Sequence, residues 1–263
     1  MDFANRADLF RHFAPLISSL HAAQIAPDQI VERLTMYRNG PLQVSYAPFD
    51  YVAAKASLVV VGITPGRTQA VNAIRAAGDA LVKGMTETEA SRIAKLTGSF
   101  SGAMRSNLVA LLDRVGVADR LGLRTCASLF DPAAERVHFT SALRYPVFIN
   151  GENYNGSPDP LTTPILRQMI DTRLLEEAKQ LHRAIWLPLG PQPSRMLQRL
   201  VGQGSLRREQ VIEGLPHPSG ANAERIAYFL GRKDRSALSA KTNAAILDAA
   251  RERLGAQVAA LNV

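Results

Sequence analysis

Cysteine is almost absent from the 263-residue sequence, in which Cys126 is the one example. A lone thiol excludes an internal disulfide and any zinc or iron–sulfur centre built from several cysteines. The five histidines are scattered without the spacing of metal ligands. The sequence therefore predicts no metal and no other cofactor.

Long apolar runs are also absent. No window approaches the roughly 18 uninterrupted apolar residues of a membrane-spanning helix, and the N-terminus lacks the basic segment and apolar stretch of a secretory signal. A hydrophobic content of 46% nevertheless supports a full core. We expect a cytoplasmic globular protein with no membrane partner.

Acidic residues are fewer than basic ones, with 23 Asp and Glu against 31 Lys and Arg and a formal net charge of +8. An excess of this size favours polyanionic partners such as nucleic acid, because clustered positive charge attracts phosphates. It is equally compatible with a solubility feature of a basic proteome. Charge alone leaves both interpretations open.

An apolar run at residues 58–61 is the clearest structural signal, since it ends abruptly in a glycine-proline-glycine turn. Such a run is typical of a strand buried on both faces of a parallel sheet. Further strands are predicted at residues 136–143, 184–189 and 210–214, and residues 42–57 are expected to be a connecting segment. Helices are predicted at residues 6–22, 27–37, 68–82, 86–96, 102–115, 163–181, 190–201, 221–230 and 239–261.

This alternation of strands and helices predicts an α/β fold, a three-layer α/β/α sandwich with a central four-stranded parallel sheet. No internal linker divides the chain, so we expect a single domain over residues 1–263. Its core is expected at about 56–232, with N-terminal helices at 5–37, a helical insertion at about 68–97 and a C-terminal helix at about 239–261.

Four short motifs lie at strand ends or open the following helix. They are Gly62-Ile-Thr-Pro-Gly66, Phe100-Ser-Gly102, Thr140-Ser-Ala142 and His217-Pro-Ser-Gly220. Ligands of open α/β sheets bind at the carboxyl ends of the strands. In this order and spacing, and with Leu189-Gly190 opening a later helix, the motifs resemble those of the uracil-DNA glycosylase superfamily over roughly residues 56–232.

The resemblance implies a monomeric DNA base-excision glycosylase, which hydrolyses the N-glycosidic bond of uracil or another damaged base flipped out of DNA. In the family, the histidine matched by His217 donates a hydrogen bond to the leaving base, and Thr64 stands where relatives position the attacking water. Phe100 matches the aromatic on which the base stacks, with Ser141 and Ile63 also at the base. The DNA-contacting residues implied are Gly66, Arg67, Ser219, Gly220, Asn222 and Arg225, with further positive charge from Arg232, Lys233 and Arg235.

The sequence departs from the family pattern at several positions. Thr64 replaces an Asn or Asp, and a threonine hydroxyl can orient water but cannot usefully accept its proton near neutral pH. Ser141 replaces an Asn that reads the pyrimidine edge, and its hydroxyl reaches less far than an amide. The iron–sulfur cysteines of one branch are missing, and about 30 residues separate Gly66 from Phe100.

Three functions are compatible with these observations. The first is a DNA glycosylase, and the second is a non-catalytic nucleic-acid-binding member of the same fold, which the residues at positions 64 and 141 favour. The third is a small-molecule α/β enzyme that matches the motifs by chance, with His217 and Phe100 in structural roles. The chain lacks the Gly-x-x-x-x-Gly-Lys-Ser/Thr and Gly-x-Gly-x-x-Gly phosphate-binding motifs of many such enzymes.

Overall fold

The computed structural model describes residues 8–21, 25–131 and 135–260. The chain is an α/β protein, as predicted. Its helices are α1 (Leu9–Leu20), α2 (Pro27–Arg33), α3 (Arg67–Val82), α4 (Glu87–Gly98), α5 (Ala103–Arg114), α6 (Val117–Arg120), α7 (Pro164–Met169), α8 (Leu175–Gln180), α9 (Pro191–Gly202), α10 (Ala223–Phe229) and α11 (Ala244–Ala259). No helix within these ranges is long and apolar enough to cross a membrane.

Three of the predicted strands form a parallel sheet, with β3 (Leu58–Gly62) between β4 (Val137–Ser141) and β7 (Ile185–Pro188). The sequence predicts four strands, but residues 210–214 contribute only a parallel bridge between Val211 and Trp186. The pairing is short because a 3₁₀ turn precedes Val211, and Gly214 follows with a φ of +123° that no strand adopts.

The parallel sheet packs on both faces, because successive side chains of β3 point to opposite sides. Val59 and Val61 belong to a large hydrophobic cluster that includes residues of α1, α3, α4 and α9. Leu58 and Val60 belong to a second cluster, with residues of α5, α10 and α11. This two-sided burial explains why β3 is an uninterrupted apolar run.

A second, antiparallel sheet was not predicted. It has the order β1 (Thr35–Asn39), β2 (Leu42–Ser45), β5 (Val147–Ile149) and β6 (Glu152–Asn153). The helix predicted at 27–37 therefore ends at Arg33, and the segment 42–57 begins with a strand. The turn residue Gly40, with a φ of +53°, connects β1 to β2 in a hairpin rather than ending a helix.

The two helices predicted at 68–82 and 86–96 are found, as α3 and α4. α4 begins at a capping box in which Thr86 and Glu89 each accept a hydrogen bond from the other's backbone N–H. α3 packs closely on α1, since a β-carbon placed on Gly78 would lie 2.3 Å from His21 Cβ. These two helices carry the chain to the loop that contains Phe100.

The remaining predicted helices are found with shifted ends. The helix expected at 163–181 is interrupted by a π-helical turn, Ile170–Leu174, between α7 and α8. The C-terminal helix begins at Ala244 rather than at residue 239, because Asn243 provides the cap by accepting from Ile246 N–H at 3.2 Å. The ends predicted for the first helix, residues 6 and 22, lie outside the described residues, as does residue 261, the end predicted for the last helix.

Candidate functional site

One cavity of about 480 Å³ lies at the C-terminal ends of β3 and β4. Eight of the residues singled out from the sequence line it: Ile63, Thr64, Gly66, Phe100, Ser141, His217, Ser219 and Gly220. Sheet topology favours ligands at this edge, and ligand pockets span about 300–1,000 Å³. Arg67 does not line this cavity, and Asn222 and Arg225 line a neighbouring one of about 610 Å³ that shares His217.

His217 presents a neutral hydrogen-bond donor. Its Nδ1 accepts a hydrogen bond of 3.3 Å from Ser219 N–H, so the proton of the neutral ring resides on Nε2. Burial lowers the pKa of His217 below its usual 6.5, which keeps the ring neutral at pH 7. The loop is anchored by Asn107, which donates to the Pro218 carbonyl at 2.9 Å.

Phe100 is held at the cavity wall in an uncommon backbone conformation. Its φ is +49°, in the left-handed region that bulky residues rarely adopt. The ring is 6% exposed and packs edge-on against Phe139, with centroids 5.7 Å apart. Arg105 clamps the loop by donating to the Ser99 carbonyl and to two carbonyls at the end of α4. Such strain, of the order of 1–3 kcal/mol, is concentrated at ligand sites.

Ser141 lies next to Phe100. A β-carbon placed on Gly62 would be 3.5 Å from Ser141 Oγ and 3.6 Å from the Phe100 ring. A half-buried hydroxyl and an aromatic ring therefore share one corner of the cavity. The base-reading role of Ser141 stays a prediction.

Thr64 lines the cavity, but its hydroxyl already makes two hydrogen bonds. Oγ1 donates to the Tyr145 carbonyl at 2.9 Å and accepts from Val147 N–H at 3.2 Å. Because a hydroxyl has one proton, Thr64 cannot also donate to a water molecule while this bridge is kept. The geometry thus favours a structural role over the predicted positioning of water. No carboxylate among the described residues lines the cavity to replace it.

Two of the predicted phosphate contacts are cations already paired within the fold. Arg67 forms an ion pair with Asp28, and its guanidinium carbon lies 5.4 Å from the centroid of the Phe148 ring. Lys233 Nζ lies 2.8 Å from Glu224 Oε1. Their charges are therefore largely neutralised locally.

Arg225 differs from these paired cations. It is exposed and donates to neutral acceptors, the Asn222 side chain at 3.1 Å and the Lys241 carbonyl at 3.3 Å. Arg232 and Arg235 are also exposed. These arginines retain charge for an external anion, which leaves their predicted DNA contacts open.

A buried charge cluster lies next to the cavity and was not predicted. Glu177 accepts a hydrogen bond from Arg144 Nε at 3.0 Å, and its carboxylate lies 3.3 Å from His138 Nε2 and 3.8 Å from Lys95 Nζ. Burial opposes ionisation of Glu177, but Arg144 and Lys95 hold its pKa well below the usual range. Burial lowers the pKa of His138 to about 4 and that of Lys95 to about 8.

Two members of this cluster, Lys95 and Arg144, also line the cavity together with Thr140. Their exposed fractions are 3%, 5% and 6%, and we name these three residues the cationic wall. Thr140 Oγ1 has no hydrogen-bond partner in the described part of the chain. A buried hydroxyl without a hydrogen-bond partner lowers the stability of a protein by about 1–3 kcal/mol. Nothing in the sequence marks Lys95, because one lysine in a helix carries no motif.

Asn153 is a further lining residue that the sequence did not indicate. The β5–β6 hairpin places it beside Gly66, and its Oδ1 accepts from Arg67 N–H at 2.8 Å. Its amide nitrogen makes no hydrogen bond to the described residues, so it remains a donor. The Asn150-Gly151 pair, with φ values of +52° and +79°, is a turn signal that could have predicted this hairpin.

Comparison with known proteins gives one informative match. No family model matches the chain, and no solved structure matches it. The curated "Uncharacterized protein YoxB" of Bacillus subtilis (strain 168) is 32% identical over 252 residues, which span 95% of this chain and 98% of YoxB. The chain therefore belongs to the same family as Bacillus subtilis YoxB.

Proposed function

We propose that this chain is a DNA glycosylase, which hydrolyses the N-glycosidic bond of uracil or another damaged base flipped out of DNA. One observation carries the proposal. Phe100, Ser141 and His217, singled out in three distant motifs, line one cavity at the carboxyl edge of the parallel sheet. A ring, a hydroxyl and a neutral N–H donor around one ligand-sized space suit the binding of a nucleobase.

The chemistry of excision assigns each group a task. The reaction requires stabilisation of an oxocarbenium-like sugar and of an anionic leaving base. His217 Nε2–H donates to the developing negative charge on the base. Phe100 supplies a stacking surface, worth about 1–3 kcal/mol per base. Positive charge on the exposed arginines attracts the DNA backbone without selecting sequence.

The attacking water has no carboxylate to hold it among the lining residues that the structure describes. Thr64 is occupied by its bridge to the neighbouring backbone. We therefore assign most of the rate enhancement to stabilisation of the leaving base rather than to a general base. A sugar with oxocarbenium character accepts a weak nucleophile, so this division is chemically consistent.

A second candidate, a non-catalytic nucleic-acid-binding member of the same fold, is favoured by the same Thr64 bridge. Such a protein would keep the cavity and the exposed arginines but lack a group to activate water. Base binding without excision separates it from the first candidate.

We also propose the finer architecture, a three-layer α/β/α sandwich in which Val211 and Ile212 form a very short fourth parallel strand beside β7. Support comes from the hydrogen bond that Ile212 N–H donates to the Trp186 carbonyl at 3.0 Å. The hydrophobic clusters on the two faces of β3 are a further support.

The test is single-turnover incubation with single-stranded and duplex oligonucleotides that contain uracil, hypoxanthine, xanthine or a thymine mismatch, followed by alkaline cleavage of abasic sites. We expect excision of at least one base by the wild-type protein. DNA binding with no excision would favour the second candidate, and absence of both would refute the two proposals.

A further inference from the structure

The cationic wall combines three observations that point to a ligand. Lys95 and Arg144 are buried cations on the cavity surface, and the buried Thr140 hydroxyl, which lines the same cavity, has no partner within the described ranges. A buried hydroxyl is normally hydrogen-bonded. The missing partner of Thr140 is therefore expected to come from a molecule in the cavity.

Lys95 also retains hydrogen-bonding capacity. Its ammonium donates to the Phe49 carbonyl at 2.9 Å and lies 3.8 Å from Glu177. His138 Nε2 lies 3.5 Å from the Lys95 ammonium but does not accept a hydrogen bond from it. His138 Nδ1 accepts from Ala53 N–H, so the neutral ring carries its proton on Nε2. At least one of the three ammonium N–H groups therefore remains for a ligand.

Arg144 is fixed by hydrogen bonds to neighbouring parts of the fold. Its Nε donates to Glu177, and its Nη2 donates at 3.0 Å to the Arg173 carbonyl, which the π-helical turn provides. Nη1 makes no hydrogen bond to the described residues. A guanidinium held in this way keeps its charge, so it offers a positive group that needs no rearrangement on binding.

We propose that Lys95, Thr140 and Arg144 form an anion-binding subsite, which accepts the negatively charged keto oxygen of the leaving base. The inference rests on the proposed glycosylase function and names its substrate class. The substrates are bases that leave as anions, namely keto pyrimidines and keto purines. Purines alkylated on a ring nitrogen, such as 7-methylguanine, are cationic in DNA and leave as neutral molecules, and they are excluded because a positive wall repels them.

In the reaction, the bond between the sugar carbon and the base nitrogen breaks, and its electron pair moves into the base. The negative charge is delocalised onto the keto oxygen, where Lys95 and Thr140 donate hydrogen bonds. A water molecule adds to the sugar carbon and loses a proton, and the base anion takes up a proton after release. The balance requires water alone as co-reactant.

Thr140→Val is the decisive variant, because valine keeps the shape and removes only a hydroxyl that has no partner within the described ranges. We expect its melting temperature to equal or exceed that of the wild type. Thr140→Ser, which keeps the hydroxyl, is the matched control. A residue with a purely structural role would not separate stability from ligand binding in this way.

The binding probes are free 5-nitrouracil, which is an anion at neutral pH, and thymine, which is a neutral base with a substituent at the same position. By calorimetry, wild type and Thr140→Ser should bind 5-nitrouracil at least about tenfold more tightly than thymine, as expected for a charge-assisted hydrogen bond. Thr140→Val should lose most of that preference. Equal affinity for the two probes, or a preference unaffected by valine, would overturn the subsite.

Excision of 7-methylguanine is measured beside that of uracil, hypoxanthine and xanthine in matched oligonucleotides. Faster release of 7-methylguanine than of uracil, hypoxanthine and xanthine, which leave as anions, would overturn the subsite and leave the glycosylase proposal intact. Thr140-dependent binding of 5-nitrouracil without excision of any base would support the subsite and refute the glycosylase.

Discussion

The Thr64 hydroxyl donates a 2.9 Å hydrogen bond to the Tyr145 carbonyl and thereby ties the turn after β3 to the chain entering β5. The same oxygen accepts from Val147 N–H at 3.2 Å. One side chain thus connects the parallel sheet to the antiparallel sheet at the cavity edge. This connection explains a threonine at the position where the family resemblance implies a water-holding residue.

Thr64→Val should destabilise the protein, because it leaves a backbone carbonyl and an N–H group without their partner. An unsatisfied buried polar group costs about 1–3 kcal/mol, and we expect a loss of free energy of unfolding in that range. Thr64→Ser keeps the hydroxyl and serves as the control. Urea denaturation is the measurement, and equal stability of the valine and serine variants would contradict the bridge.

Phe100 provides a test of backbone strain. Glycine normally destabilises relative to alanine, but it adopts a positive φ without steric cost. At the +49° φ of Phe100, we expect Phe100→Gly to be more stable than Phe100→Ala by about 1 kcal/mol. The same pair of substitutions at Phe139, within β4, should show the opposite order. The stabilities of the four variants are measured by thermal or urea unfolding. If the alanine variant is more stable than the glycine variant at both positions, the backbone of Phe100 is not strained.

The parallel part of the fold could be predicted because its signals are local. β3 is an uninterrupted apolar run buried on both faces, and α3 and α4 contain long segments of helix-forming residues between turn signals. β1 was missed because its sequence, Thr35–Asn39, is largely polar and partly exposed, so no apolar alternation marks it. Its strand character comes from pairing with β2, which is tertiary context.

The candidate site likewise contains residues that the sequence indicates and residues that it does not. His217 and Phe100 stand in short motifs, so a family resemblance could identify them from the sequence alone. Lys95 and Glu177 are far apart in the chain, and each in isolation is an ordinary charged helical residue. Only the packing of α4 and α8 on one face of the parallel sheet brings them together beside the cavity.

His217→Ala should lower the rate of base excision by about 100- to 1000-fold, the usual effect of removing one donor to a developing anion. DNA affinity should change little, because in the proposed complex the ring contacts the base and not the backbone. His182→Ala, at an exposed position, is the control and should behave as wild type. Single-turnover kinetics and binding are compared, and equal losses in both would assign His217 a structural role.

Arg225→Ala should reduce the salt dependence of DNA binding more than Lys233→Ala does. Arg225 donates to neutral acceptors, whereas Lys233 is paired with Glu224. If Arg225 neutralises one phosphate, the slope of log affinity against log salt should become shallower by about 0.9 on duplex DNA. Binding curves at several salt concentrations provide the slopes. A larger change of slope for Lys233→Ala would show that pairing with Glu224 does not prevent Lys233 from contacting a DNA phosphate.

His138 predicts a specific dependence of stability on pH. Burial, with a contribution from the positive charge of Lys95, lowers the pKa of His138 to about 4, below its usual 6.5. Between pH 6.5 and 4 the unfolded chain therefore binds a proton at this ring that the folded chain does not. The free energy of unfolding should decrease as the pH is lowered through that window, with a slope contribution approaching about 1.4 kcal/mol per pH unit.

His138→Gln isolates this effect, because glutamine can still donate to Glu177 but does not titrate. Urea unfolding of wild type and variant is measured from pH 7 down to pH 4.5, which stays above most of the range where the lowered pKa of Glu177 matters. Other histidines contribute equally to both proteins, so the difference between the two slopes belongs to His138. The slope of the wild type should be steeper. Parallel curves would show that the His138 ring is protonated in the folded state at mildly acidic pH, and that the buried cluster carries one more positive charge than its contacts indicate.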